Sequence, residues 1–174
     1  AAHVTGDGLA AYLQERREDP EWRGCNVTMP HKQAIMPLLD RLEPLARRVG
    51  AVNTVVRAAD GKLVGRNTDV AGFLEPLAEG LGHRHYFRMA RILGTGGAAR
   101  AIVAGLAKEG FTLVLAGRNP DKARALLDEI DPAGDHHVAP LDLKALTKGE
   151  INDLCTCDCT KDNSSKTKTN NQDQ

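Results

Sequence analysis

One stretch limits what this chain can fold into more than any other: Gly94-Thr95-Gly96-Gly97-Ala98-Ala99, between "ARIL" (90–93) and a run of helix formers (98–109). Three glycines within four residues break any regular element, so a turn belongs here. Its flanks define its kind. "ARIL" reads as a short strand. Residues 98–109 read as a helix, with Ile102, Val103 and Leu106 facing inward and Gly110 as the stop. "FTLVLA" (111–116) is almost continuously apolar, the pattern of a strand covered on both faces. Asn119-Pro120 caps and opens a helix reaching about Ile130, and "HVAPL" (137–141) reads as a third strand. Strand–helix–strand–helix–strand over 90–141 predicts an α/β fold with a parallel sheet.

In that setting the turn fits G-x-G-x-x-A through Gly94, Gly96 and Ala99. The first glycine permits the sharp exit from the strand, the second lets a pyrophosphate approach the backbone, and the alanine lets helix and sheet pack closely. The helix N-terminus receives the anion. A purely structural turn is the competing reading, but the surrounding strand–helix–strand unit favours phosphate binding. The second strand ends in Gly117-Arg118-Asn119. A glycine where an NAD site would carry an acid, followed by an arginine able to meet a 2′-phosphate, favours NADP. Arg118 also reads as a solvated loop residue, and Asn119 as a helix cap.

The first half alternates differently. Residues 8–17 suggest a helix with Leu9, Tyr12 and Leu13 on one face, and "GCNVT" a short strand running into a helix start at Thr28/Pro30. Lys32 falls in that first turn, where the backbone dipole disfavours a cation, which raises the question of what it does there. Pro37 interrupts the pattern, and a helix over 42–49 ends at Gly50. "AVNTVVRA" (51–58), the Asp60-Gly61 turn and "KLVG" (62–65) predict a hairpin. Asn67, Thr68 and Asp69 then cap a helix over 70–79, with Phe73, Leu74 and Leu77 inward. Polar residues at element ends (Asn26, Thr28, Lys32, Asn53, Thr68, Asp69) are site candidates, although each singly also reads as a cap, a turn or an exposed side chain.

Together, "NVTMPHK" (26–32), "GAVNT" (50–54), "GRNTD" (65–69) and "GTGGAARA" (94–101) resemble the shikimate dehydrogenases, over roughly residues 4–143. The resemblance implies an N-terminal α/β substrate-binding domain (1–82, incomplete) followed by a partial Rossmann-type NADP-binding domain (83–143). It implies NADP-dependent, reversible reduction of 3-dehydroshikimate to shikimate, a step of aromatic amino-acid biosynthesis. Lys32 and Asp69 match the family's catalytic pair, and Thr28 and Asn53 its substrate-hydroxyl ligands. Gly94, Thr95, Gly96, Gly97 and Ala98 match the pyrophosphate loop, and Gly117, Arg118 and Asn119 the 2′-phosphate contact. The family's opening strand, with its carboxylate-gripping serine loop, and much of its C-terminal part have no counterpart here, so the chain reads as a fragment. Alternatives are a relative that also oxidises quinate, with NAD or NADP, and a fragment without catalysis.

Composition excludes other classes. Basic and acidic residues balance at 23 each, which gives no reason to expect a nucleic-acid or membrane partner. A small-molecule substrate, a monomer or homodimer, and a cytoplasmic site are expected. Residues 160–174 contain no hydrophobic side chain, so 144–174 is expected to be a disordered tail unlike the family. Cys155, Cys157 and Cys159 alternate, with His136 and His137 the nearest histidines; this spacing is not that of a zinc site, and no metal is expected.

Overall fold

The computed structural model describes residues 2–82 and 88–141. The expected tail over 144–174, with its three cysteines, and residues 83–87, where the second expected domain begins, lie outside them.

The fold is mixed α/β, with two sheets. Helix α1 (Leu9–Glu18) leads to strand β1 (Gly24–Asn26), the short helix α2 (His31–Ala34), and a 3₁₀ turn at Met36–Leu38 that contains Pro37. Strand β2 (Arg41–Leu42) and helix α3 (Pro44–Val49) follow. The hairpin strands are β3 (Thr54–Arg57) and β4 (Leu63–Arg66), and the sheet order is β1-β3-β4-β2. β3 pairs antiparallel with both β1 and β4, whereas β2 runs parallel to β4. Gly50 sits at φ 68 and ends α3, as its sequence position predicts, and Gly61 turns the hairpin at φ 80.

Two expectations need correction in this half. The helix over 42–49 begins only at Pro44, because Arg41 and Leu42 pair with Val64 and Gly65. A two-residue strand carries no alternation to read. The helix over 70–79 is three pieces: α4 (Asp69–Leu74), a 3₁₀ turn at Glu75–Leu77, and α5 (Ala78–Gly82). Pro76 has no N–H to continue the α-helical ladder. Val70 is buried, Phe73 and Leu74 pack partly against the core, and Leu77 is left 40% exposed rather than inward.

The second sheet comprises β5 (Met89–Leu93), β6 (Thr112–Gly117) and β7 (His137–Pro140), all parallel, with β6 central. Helices α6 (Gly97–Lys108) and α7 (Pro120–Ile130) connect them. Leu113 and Leu115 on β6 are fully buried, as the apolar run predicts. Asn119 accepts a hydrogen bond from the Lys122 amide at 3.1 Å and so caps α7. His136 is also absorbed by the fold. Its Nδ1 accepts from the Leu113 amide, which leaves Nε2 to donate to Asp131 when the ring is neutral. No group of three or more potential metal ligands clusters among the described residues. None of the described helices is long and apolar enough to cross a membrane.

The cores do not divide where the two sheets divide. One cluster holds Leu9, Leu13, Ile35, Val52, Val55 and Leu63. The other, built on β5–β7, also takes in Val49, Ala51 and Val70 from the first half. Arg100 of α6, only 5% exposed, reinforces this link: its Nε donates to the Val49 carbonyl at 2.6 Å, and its Nη2 pairs with Glu129 at 2.5 Å. Gly50 leaves room for that guanidinium, since a methyl there would collide with Nη2.

Candidate functional site

Short-range bonding brings the scattered polar residues together. The Val27 amide donates to the Asn53 carbonyl, and the Val52 amide to the Lys32 carbonyl, each at 2.7 Å, so the segment 27–32 is fastened to the start of β3. On the other side, the Asn53 amide donates to the Arg66 carbonyl at 3.0 Å, continuing the β3–β4 ladder one step further. Residues 32, 53 and 67–69 therefore meet although they are up to 37 positions apart.

At their meeting point the Lys32 Nζ donates to Asp69 Oδ2 at 2.7 Å. Asn53 Nδ2 donates to Asp69 Oδ1 and to Thr68 Oγ1, each at 2.8 Å. Asn53 Oδ1 accepts from the Thr68 amide at 3.0 Å and from Thr54 Oγ1 at 3.1 Å. Both carboxylate oxygens of Asp69 are thus held, and its rotamer is fixed. Asp69 is also the first residue of α4, where helix N–H groups favour a negative charge. Buried Asn67 sets that start: its Oδ1 accepts from the Asp69 and Val70 amides, and its Nδ2 donates to the Ala51 carbonyl at 2.9 Å. The capping side chain is therefore that of Asn67, and the Thr68 side chain does not serve in that role. The cation in the first turn of α2 has its compensating partner in Asp69. The pair is part-buried, with the lysine side chain 16% and the aspartate 27% exposed.

Thr28 is exposed and makes no side-chain cap for α2, which begins at His31 behind Pro30. It lines, with Asn26, Tyr12 and Trp22, a cavity of about 630 Å³ against β1 and α1. Cys25 also borders this cavity, and burial pushes its thiol pKa up, away from reactive thiolate.

The glycine-rich turn lies at the C-terminal ends of β5 and β6, where Leu93 pairs with Ala116. Gly94 adopts φ 99, a conformation that disfavours other residues, and its amide donates to the Ala116 carbonyl at 2.8 Å. Among the described residues nothing lies within 4 Å of a methyl added at Gly94 or Gly96, so the turn leaves an open cradle beside the start of a 12-residue helix. Thr95 packs against Gly117: a side chain at 117 would meet the Thr95 methyl at 3.1 Å. Ala98, Arg118 and Asn119 are exposed around this end of the sheet.

The two groups of residues adjoin at one point. Gly97, the first residue of α6, faces the stem of Lys32. Sequence reasoning places both residues in the site but gives no sign of this contact. It also misses Arg100, whose carbonyl partner is 51 positions away.

Comparison with known proteins fits this arrangement. Residues 1–55 match the shikimate dehydrogenase substrate binding domain. Shikimate dehydrogenase (NADP(+)) of Sphingopyxis alaskensis is 50% identical over 136 residues, 77% of this chain and 48% of the relative. Shikimate 5-dehydrogenase of Thermus thermophilus, solved in complex with NADP(H) and shikimate, superposes with a TM-score of 0.63 at 38% identity, covering 77% of this chain and 48% of that one. Quinate dehydrogenase of Corynebacterium glutamicum, in complex with NAD, gives 0.62 at 34% identity, with 83% and 50% covered. The chain spans about half the length of the relatives it matches. Over that aligned span, the chain is similar to the shikimate dehydrogenases, and residues 1–55 carry the match to their substrate-binding domain.

Proposed function

We propose that this chain carries the proton-transferring and cofactor-facing parts of an NADP-dependent shikimate dehydrogenase, which interconverts 3-dehydroshikimate and shikimate. The observation that carries this reading is the Lys32–Asp69 pair, 2.7 Å apart, on an amine whose stem rests against the first residue of the glycine-rich helix. Residues 1–82 form the substrate half in this reading and 83–143 the cofactor half.

The dinucleotide, when bound, donates or accepts the hydride. The donor set fits it: the open glycine cradle and the leading amides at the N-terminus of α6 suit a pyrophosphate, and exposed Arg118 suits a 2′-phosphate. Gly94, Thr95, Gly96, Gly97 and Ala98 would hold the pyrophosphate, and Gly117, Arg118 and Asn119 the adenosine end. Lys32 Nζ gives a proton to the ketone oxygen during reduction and takes it back from the hydroxyl during oxidation. Asp69 keeps the amine aimed and stabilises its charged form, and Asn53 keeps Asp69 aimed. Thr28 and Asn53 contact substrate hydroxyls. The Asn53 amide is fully engaged by Asp69, Thr68 and Thr54, so a hydroxyl that it contacts would take the place of one of these partners.

The test is a four-way comparison of the purified chain: shikimate or quinate, each with NADP or NAD. Turnover highest with shikimate and NADP supports the reading. Preference for quinate with NAD would favour the second reading, which the likeness to the quinate dehydrogenase motivates. Absence of turnover in a chain that melts cooperatively would contradict both and leave the third, a fragment without catalysis.

A further inference from the structure

We propose that Gly97 is a positioning residue for Lys32: its missing side chain is the space in which the lysine stem lies. A methyl at Gly97 would stand 2.9 Å from Lys32 Cδ, 3.1 Å from Cβ and 3.5 Å from Cγ. Contact with the far end of a lysine could be relieved by a rotamer change. Contact with Cβ cannot, because Cβ moves only with the backbone, and the Lys32 carbonyl is bonded to the Val52 amide. Backbone strain does not explain a glycine here. Gly97 begins a helix and lacks the positive φ that marks Gly94, and in a helix alanine is the better residue. A methyl added at its neighbour Gly96 meets none of the described residues within 4 Å, so the two glycines differ although they are adjacent in one motif. The open one suits an approaching ligand, and the filled one suits the amine. The stem is pinned at Gly97 and the ammonium at Asp69, so Nζ is fixed from both ends. The start of the cofactor-facing helix thereby sets the place of the proton donor.

The significance for turnover rests on the function proposed above; the contact itself does not, and its test needs no turnover. Thermal melts of Gly97→Ala, Lys32→Gly and the double variant form a cycle with the parent chain. Gly97→Ala is expected to lower Tm by several degrees when Lys32 is present. In the Lys32→Gly background, which removes Cβ as well as the rest of the stem, the same change should leave Tm unchanged or raise it, because the clash is gone and helix propensity remains. If Gly97→Ala alone fails to fold, rescue by Lys32→Gly gives the same answer, and failure of the double variant to fold when Lys32→Gly alone folds overturns the proposal. An equal effect of Gly97→Ala in both backgrounds also overturns it. A second readout is acetylation of Lys32, followed by peptide mapping. Gly97→Ala should speed it several-fold, as should Asp69→Asn, while Gly96→Ala should not. Unchanged labelling in folded Gly97→Ala would contradict the proposal.

Discussion

The two sheets reach order by different routes. The β5–β7 sheet is parallel, built from strands of four to six residues and connected by helices of eleven and twelve. Its central strand and both its helices repeat a pattern long enough to be read locally. The β1–β4 sheet is mostly antiparallel, with strands of two to four residues and helices broken by proline. Its specificity lies in side chains that bond across the fold: Lys32 to Asp69, Asn53 to Asp69, Asn67 to Ala51. Regular packing supplies a platform, while irregular, polar-stitched structure holds the residues assigned to chemistry. The proposed site joins the two, with the open turn from the parallel sheet and the amine from the other.

The comparison can be pushed hardest at the amine. Lys32→Ala should cost about 10²- to 10⁴-fold in kcat, the range for loss of a positioned proton donor, with little change in NADP affinity. Steady-state kinetics and a binding titration check this together. Next come the cores. Leu113→Ala on β6 and Leu63→Ala on β4 each empty a fully buried site, and each should cost ~2–5 kcal/mol. Because Val49, Ala51 and Val70 pack into the core of the parallel sheet, both variants should shift a single unfolding transition in denaturant. Two separate transitions would mean that the shared cluster does not couple the halves.

Asn67→Ala is a smaller perturbation confined to the polar-stitched region. It leaves the Ala51 carbonyl and the α4 amides without their partner, and it should cost about 1–3 kcal/mol in a denaturant melt while also loosening Asp69. The smallest effect expected is at Asp40. Its carboxylate accepts from Arg17 at 2.6 Å and from the Leu63 amide at 2.7 Å, and these bonds hold its pKa below the ordinary value of 3.8. A carboxyl depressed in the folded state stabilises fully above its unfolded value, and loses that contribution as pH falls through the folded one. Asp40→Asn should therefore cost under ~1 kcal/mol at neutral pH, the pair being about a third exposed, and the difference from the parent should shrink below pH 3.8.

Legibility in the sequence follows the same division. The β6 run, the Asn119 cap, Gly50, Gly110 and the hairpin turn are all readable, because each depends on neighbours within a few positions. Strand β2 is not, because two residues carry no period and its partner is more than twenty positions away. Leu77 looks inward only if the helix is continuous, and Pro76 rotates it out. Lys32 and Asp69 are two of several polar candidates at element ends until the family resemblance singles them out, since their pairing depends on a meeting of elements that no local pattern encodes. Gly97 reads as one more phosphate-loop glycine. Only the fold shows that its space is already filled by a lysine from the other sheet's half.

The most direct test of the central claim follows the hydride itself. Shikimate deuterated at the carbinol carbon that becomes the ketone is mixed with NADP and a stoichiometric amount of folded chain, and the reduced cofactor is examined by mass spectrometry. Deuterium appearing in the nicotinamide ring with the parent chain and vanishing with Lys32→Ala is the predicted result. Deuterium absent with the folded parent, or undiminished in Lys32→Ala, would contradict the account.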